Sequence, residues 1–313
     1  MTGQSQASMQ QKAEGLLLLN KKSGFTSFDS LGIVKKTFAT GKAGHTGTLD
    51  KFAAGLLLVL VGRAVKLNFL FENCSKEYFG TILFGRETDT LDPEGAVVAE
   101  GPVPSRQEVE AALDAFRGEI LQSPPAYSAL HINGRRAHEL AREGKAPEMK
   151  KRPATIYELE LVSWTPPEAV IRTKVSAGTY IRSLARDIAI SAGSRAHLSA
   201  LKRSSVGPFR AEDAVSDEEG LADALRPLEP KLFGELSVPC FFLDEKPAED
   251  FKHGRPVEKF MGEALHELPS TNGSCAAVFF KGSSQAGSAQ TRLLGVLLHK
   301  NGKWSYGHVF ADN

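Results

Sequence analysis

The stretch KAGHTGTLDKFAAGLLLVLVG, residues 42–62, passes from polar, glycine-punctuated sequence into an apolar run with one carboxylate, Asp50, at the junction. Glycines 44 and 47 let the GHTGT loop bend tightly ahead of it. A carboxylate against an apolar wall serves as a nucleophile or general base when a neighbour keeps it ionised. The candidate neighbour is Arg182 in GTYIR, at the start of a helix that follows a strand. A partly buried Asp–Arg pair would hold the aspartate charged at neutral pH, and breaking it costs roughly 3–5 kcal/mol. On residue type alone, the competing reading of an aspartate after a turn is a cap or a surface group.

Other polar residues carry weaker signals. His45 reads as a turn residue, with no second histidine at metal-ligand spacing. Tyr78 and Tyr180 read as core or rim aromatics. RETDTLD, residues 86–92, reads as a turn with aspartate caps. A glycoside or nucleoside hydrolase would need a second carboxylate flanking the bond, for which Asp89 and Asp92 are the candidates. Cys74, Cys240 and Cys275 lie far apart without a Cys/His cluster, which argues against a disulfide framework or a zinc site. Phosphate-loop, dinucleotide and serine-hydrolase patterns do not occur. No metal and no cofactor are expected.

The elements that must position these residues follow from periodicity. GLLLLNKKSG (15–24) predicts a buried strand ending in a basic turn. TSFDSLGIVKKTFA predicts a helix with Phe28, Leu31, Val34 and Phe38 on one face. GRAVKLNFLFEN reads as helical, and KEYFGTILFG as a strand with Tyr78, Gly80, Ile82 and Phe84 on one side. Ser105 and Glu108 form a capping-box pattern before a helix running to Gly118. Residues 122–153 read as a long proline-bracketed, basic insertion with a helical patch around Ala137 to Arg142. Strands at ATIYELELVSW and AVIRTKVSAG precede a helix with Ile181, Leu184, Ala185 and Ile188 on one face, and the tail is β-rich with glycine turns. The pattern is α+β, mostly antiparallel, without internal repeats.

The 313 residues carry a net charge of only +1, but the charge is unevenly distributed. Residues 172–210 hold eight Lys/Arg against one acid, and residues 121–155 seven against three. Residues 211–250 reverse this, with three against twelve. Basic segments offset by an acidic one fit a phosphate-facing side, although solvated surface charge gives the same counts. The longest apolar run, Phe52 to Val61, is about half the roughly 20 residues of a membrane helix. The polar opening lacks signal-peptide order. The expectation is a soluble cytoplasmic monomer with no membrane partner. From these residues alone, RNA binding is weakly supported and no reaction is specified.

Seven motifs in order, GLLLLNKKSGFTSFD, GHTGTLD with AAGLLLVLVGRAVK, KEY, ETDTLDPEG, SPPAYSALHINGRRAHELAREG, GTYIRSLARDI and LKRSSVGPF, resemble the bacterial TruB family. These are tRNA pseudouridine synthases acting on uridine 55 of the T-loop. The resemblance spans about residues 15–210. It implies the pseudouridine synthase fold, an extended mixed, mostly antiparallel sheet flanked by helices. It implies that Asp50 is the catalytic aspartate, attacking ribose or uracil or assisting elimination, and that Arg182 pairs with it. Tyr78 would stack on the target base, Tyr180 would lie near base and sugar, and Leu201 would wall the pocket. His45 would fill the gap left in the T-loop, and Lys21 would lie near the site. The apolar run after Asp50 is expected to wall the base pocket and exclude water.

The same resemblance sets the expected organisation: a tail (1–14), a catalytic domain (15–211) with a thumb-like insertion (122–153), an acidic connector (212–239) and a PUA-like β-barrel (240–313). Arg135, Arg136, Arg142 and Lys145 on the thumb would contact phosphates, and the PUA-like module would touch the acceptor stem of tRNA. Cutting the chain at about residue 240 should then weaken RNA binding more than chemistry. The sequence departs from the family pattern at Asn20, Lys51 and Ala53–Ala54, and Lys51 would place a further cation beside Asp50. An RNA-binding or tRNA-folding protein with secondary chemistry is the alternative function. A guide-RNA-dependent catalytic subunit fits the long insertion and modest length less well.

Overall fold

The computed structural model describes residues 13–128, 130–132, 134–145, 149–216, 220–265, 268, 271–283 and 289–310. The expected tail therefore lies outside the described residues except for Ala13 and Glu14, and so do five residues of the thumb. Glu14 is tied down by Arg63 at 2.6 Å.

The main sheet takes β1 (Gly15–Lys21), β2 (Ala43–His45), β3 (Ala54–Val61), β4 (Lys76–Phe84), β7 (Gly118–Gln122), β10 (Arg152–Thr165), β11 (Glu168–Val175), β12 (Ala196–Val206) and β13 (Phe209–Arg210). Its order is β1-β3-β12-β4-β11-β10-β7, with β2 on β3 and β13 on β12. Within this sheet β3 and β12 pair in parallel, and the other neighbouring strands pair antiparallel. Two small ribbons, β5 (Arg86–Thr88) with β6 (Val97–Glu100) and β8 (His131–Ile132) with β9 (Arg135–Arg136), stand off the sheet. The helices are α1 (Ser27–Thr37), α2 (Phe69–Glu72), α3 (Arg106–Asp114), α4 (Ala137–Arg142), α5 (Ile181–Ser191), α6 (Pro230–Glu235), α7 (Glu245–Lys252) and α8 (Glu258–Met261). The described tail forms a four-stranded sheet of β14 (Cys240–Leu243), β15 (Cys275–Ser283), β16 (Ala289–Lys300) and β17 (Lys303–Val309).

The mixed, mostly antiparallel sheet is the one expected. Tyr78, Gly80, Ile82 and Phe84 share the buried side of β4, and Ser105 with Glu108 closes a capping box on α3. That helix stops at Asp114 rather than at Gly118, because Gly118, at φ +86°, already opens β7. On α1 the inward stripe is Ser27, Ser30, Leu31 and Val34, at three- and four-residue spacing. Phe28 falls beside that stripe and is 75% exposed, correcting the expectation that it packs inward.

The apolar run after Asp50 is a core strand, not a pocket wall. In β3, Leu57, Val59 and Val61 face one apolar cluster together with Leu17 and Leu19 of β1. Leu56, Leu58 and Leu60 face the other, with Leu16 and Leu18. Alternating side chains thus enter two cores, which is why the run carries no polar face. Each such leucine contributes about 1.5–3 kcal/mol by leaving water. The second core is completed from afar, by Leu232 and Phe233 of α6, Phe279 of β15, Val296 of β16 and Phe310. The stretch expected as a connector therefore packs its own apolar residues, and Arg226 and Val215 bridge to the backbone of β1. No helix among the described residues is long and apolar enough to cross a membrane.

Candidate active site

Asp50 lies on the bend between β2 and β3, where three features fix the backbone. Ser27 Oγ at the start of α1 accepts from Leu49 N at 2.9 Å and donates to Leu49 O at 3.0 Å. Arg203, 2% exposed on β12, donates from Nε to Leu56 O at 2.7 Å and from Nη2 to Gly47 O at 3.1 Å, gripping the loop on both sides of Asp50. Gly55 lets β12 approach: its φ is +101°, and a Cβ there would meet Arg203 O at 2.3 Å.

Arg182 enters from the first turn of α5 and is 6% exposed. Its Nε lies 2.9 Å from Asp50 Oδ2, and its Nη2 donates to Asp50 Oδ1 at 3.0 Å, a bidentate pair. The remaining donors go to Tyr127 O at 2.9 Å, Thr90 O at 2.8 Å and Asp92 Oδ2 at 3.2 Å. One guanidinium therefore joins the aspartate loop, the TDTLD turn and the root of the thumb. Burial pushes the Asp50 carboxyl above its ordinary value; Arg182 opposes that shift, Asp92 adds to it, and Lys21 opposes it more weakly.

Lys21, 2% exposed at the end of β1, gives its ammonium to the carbonyls of Phe25 at 2.6 Å, Lys22 at 3.1 Å and Lys51 at 3.4 Å. Burial lowers its pKa to about 8, with Asp50 pulling the other way. Tyr180 precedes α5, where its N–H donates to Gln122 Oε1 at 2.8 Å. Burial raises its phenol, and the Ser128 hydroxyl opposes that shift. Tyr78 and Leu201, 8% and 7% exposed, lie on the same buried side of the sheet, in one cluster with Leu49, Ala53 and Ile181. His45 on β2 keeps a buried Nδ1 without a partner among the described residues, and burial and Arg203 both favour its neutral form.

Asp50, Arg182, Lys21 and Tyr180 thus come together, with Tyr78 and Leu201 in the adjoining core. The thumb arginines sit on exposed β9 and α4. Arg135 is paired with Glu143, which Lys145 also contacts at 3.2 Å, so two expected phosphate donors have an internal carboxylate partner. Lys51 turns to Glu94 at 3.1 Å instead of toward Asp50, correcting the expectation of a neighbouring cation. Asn20 donates to Ser216 at 3.0 Å.

Two parts of the site were not read from the sequence: the contact of Asp92, weighed there only as a second acid, and Arg203. Asp92 is not a free second acid. It shares Arg182 with Asp50 and accepts from Thr90 Oγ1 at 2.6 Å and Glu94 N at 3.0 Å. Arg203 had a local signal: alternation along LKRSS puts it on the face of Leu201, and a charged residue on a buried strand face requires partners.

Solved structures share this fold. A chain from a Cbf5–Nop10–Gar1 complex aligns with a TM-score of 0.65 at 22% identity, covering 96% of this chain and 84% of that one. A chain from an H/ACA RNP bound to a substrate RNA containing 2'-deoxyuridine aligns at 0.64 and 20%, covering 95% and 85%. The fold is that of the pseudouridine synthases. The family profile described as TruB family pseudouridylate synthase (N terminal domain) matches residues 35–181. A tRNA pseudouridine synthase B from Borreliella burgdorferi (strain ZS7) is 47% identical over 204 residues, 64% of this chain and 72% of the relative. One from Gluconacetobacter diazotrophicus is 40% identical over 255 residues, 78% and 82% of the two chains. The chain belongs to the TruB family of pseudouridylate synthases.

Proposed function

We propose that the chain isomerises uridine to pseudouridine in tRNA, at position 55 of the T-loop, with Asp50 acting on the nucleoside. The observation that carries this reading is the bidentate Asp50–Arg182 pair in a member of the TruB family. The N1–C1′ bond breaks, uracil turns, and a C5–C1′ bond forms while C5 loses a proton and N1 gains one. Atoms and electrons balance without a co-reactant. Asp50 attacks ribose or uracil, or assists elimination at the sugar; Arg182 favours its ionised form against the effect of burial.

The target base must first leave the T-loop, which costs a few kcal/mol. Tyr78 stacking on the base, worth about 1–3 kcal/mol, and His45 filling the gap would offset that cost. Tyr180 would meet base and sugar, Leu201 would wall the pocket, and Lys21 would hold the Phe25 and Lys51 carbonyls around it. Arg135, Arg136 and Arg142 would reach phosphates, with Arg135 exchanging Glu143 for RNA. Residues 15–211 would be the catalytic unit, and 240–313 a PUA-like unit on the acceptor stem, in a protein acting as a monomer.

The test is tritium release from tRNA labelled at uridine C5, comparing wild type with Asp50→Asn. The expected result is release by wild type alone. No release by either, with RNA binding intact, would move the assignment to an RNA-binding or tRNA-folding protein.

A further inference from the structure

Resting on the tRNA reading, we propose that the exposed face at the start of α1 is a second stacking site, which takes an unpaired RNA base other than the target uridine. Phe28 is 75% exposed and Phe25 47% exposed. A concavity of about 400 Å³ lies between Phe28, Gly32, Ile33 and Lys36, and a side chain built at Gly32 would meet nothing within 4 Å. A flat aromatic beside an open apolar hollow with a cation at its rim matches what a base and its phosphate require.

The surrounding charge favours RNA. Residues 21–49 contain five lysines and a single acid, Asp29, in a chain of net charge +1. Lys22, Lys35, Lys36 and Lys42 have no ion-pair partner among the described residues. Asp29 lines the same hollow, but its carboxylate turns to Thr26, accepting from N at 2.9 Å and Oγ1 at 2.7 Å. Polyanion attraction therefore meets little opposition there.

Position supplies the remaining argument. Ser27, adjacent to Phe28, is hydrogen-bonded to Leu49, adjacent to Asp50. Gly24 N donates to Lys51 O at 2.8 Å and Ser23 Oγ to Phe52 O at 2.6 Å, so the Phe25–Phe28 turn is fixed to the catalytic loop. A nucleotide on Phe28 would sit beside the one presented to Asp50. The site would register the RNA without reading its sequence.

The experiment uses the full chain and a tRNA transcript, with Phe28→Ala, Phe28→Trp and Lys36→Gln. Because Phe28 is solvent-exposed, Phe28→Ala should leave the thermal midpoint within a degree or two. It should raise KM and Kd about tenfold, with a far smaller effect on kcat. Phe28→Trp should restore affinity, and Lys36→Gln should lower the salt slope of binding by about one. Unchanged KM and Kd in Phe28→Ala beside an active wild type would overturn the stacking site alone. A wild type that neither binds nor turns over tRNA would overturn the functional reading and the stacking site together. Concentration-dependent dimerisation abolished by Phe28→Ala, with RNA affinity unchanged, would assign the face to a second copy of the chain instead.

Discussion

Arg182 and Asp50, 132 positions apart in the chain, meet through two parallel contacts of 2.9 and 3.0 Å. The guanidinium is almost fully enclosed, while about a third of the Asp50 side chain stays accessible, 6% against 35%. The pair is thus anchored on the arginine side and open on the aspartate side.

Asp50→Asn should reduce turnover by at least about a thousandfold with RNA affinity within a few-fold, as for a group acting only in the transition state. Stability should fall, because the amide gives up the ion pair with buried Arg182 and leaves that guanidinium Asp92 as its remaining carboxylate partner. Burial lifts the Asp50 pKa in the folded chain, so its contribution to stability is present below the ordinary carboxylate value and is lost as pH rises through the raised one. The loss against wild type should therefore be larger at acid pH than at neutral pH. Paired tritium-release and thermal-melt measurements check both halves.

Arg182→Met should be the more damaging change to the fold. It leaves Asp50 and Asp92 as neighbouring carboxylates and strips the Thr90 and Tyr127 carbonyls of a donor. Breaking a buried pair costs about 3–5 kcal/mol, and the accessible side of Asp50 places this one near the lower end. Arg182→Lys should restore part of the stability but little turnover, because an ammonium cannot make the bidentate contact. Urea denaturation reads the first effect and single-turnover rates the second.

The pH profile of the chemical step should be bell-shaped. The acid limb, set by ionisation of Asp50, should lie above the ordinary carboxylate range, and Asp92→Asn should move it downward by removing a repelling charge. The alkaline limb should fall near 8, where buried Lys21 loses its proton, and should vanish in Lys21→Met. Because the unfolded chain holds that proton up to about 10.5, Lys21 should also make stability rise with pH between the two values. Single-turnover rates and urea midpoints across pH 4–11 test both.

Ending the chain at residue 239 should produce an unfolded or aggregating protein rather than a weak binder with intact chemistry. The cut removes Phe279, Val296 and Phe310 from the cluster containing Leu58, Leu60 and Phe71, and takes the Phe310 carbonyl from Arg63. Far-UV circular dichroism and sedimentation of the truncated chain check this. A soluble, cooperatively melting product would show that the first core closes without the second.

The sequence by itself determined the order of elements, the alternating face of β4, the capping box on α3 and the prominence of Asp50 and Arg182. These are readable because period, caps and turn chemistry act between residues a few positions apart. Only the tertiary structure decided that the LLLVLV run serves two cores, because its second face is closed in part by residues more than 170 positions later, Leu232, Phe233, Phe279, Val296 and Phe310. The same holds for the claim of Asp92 on Arg182, the grip of Arg203 on the loop before Asp50 and the diversion of Lys51 to Glu94. Such contacts join groups whose separation along the chain carries no periodic signal. Burial then decides which charges must find each other, since an unpaired ion inside the fold is far costlier than one left in water.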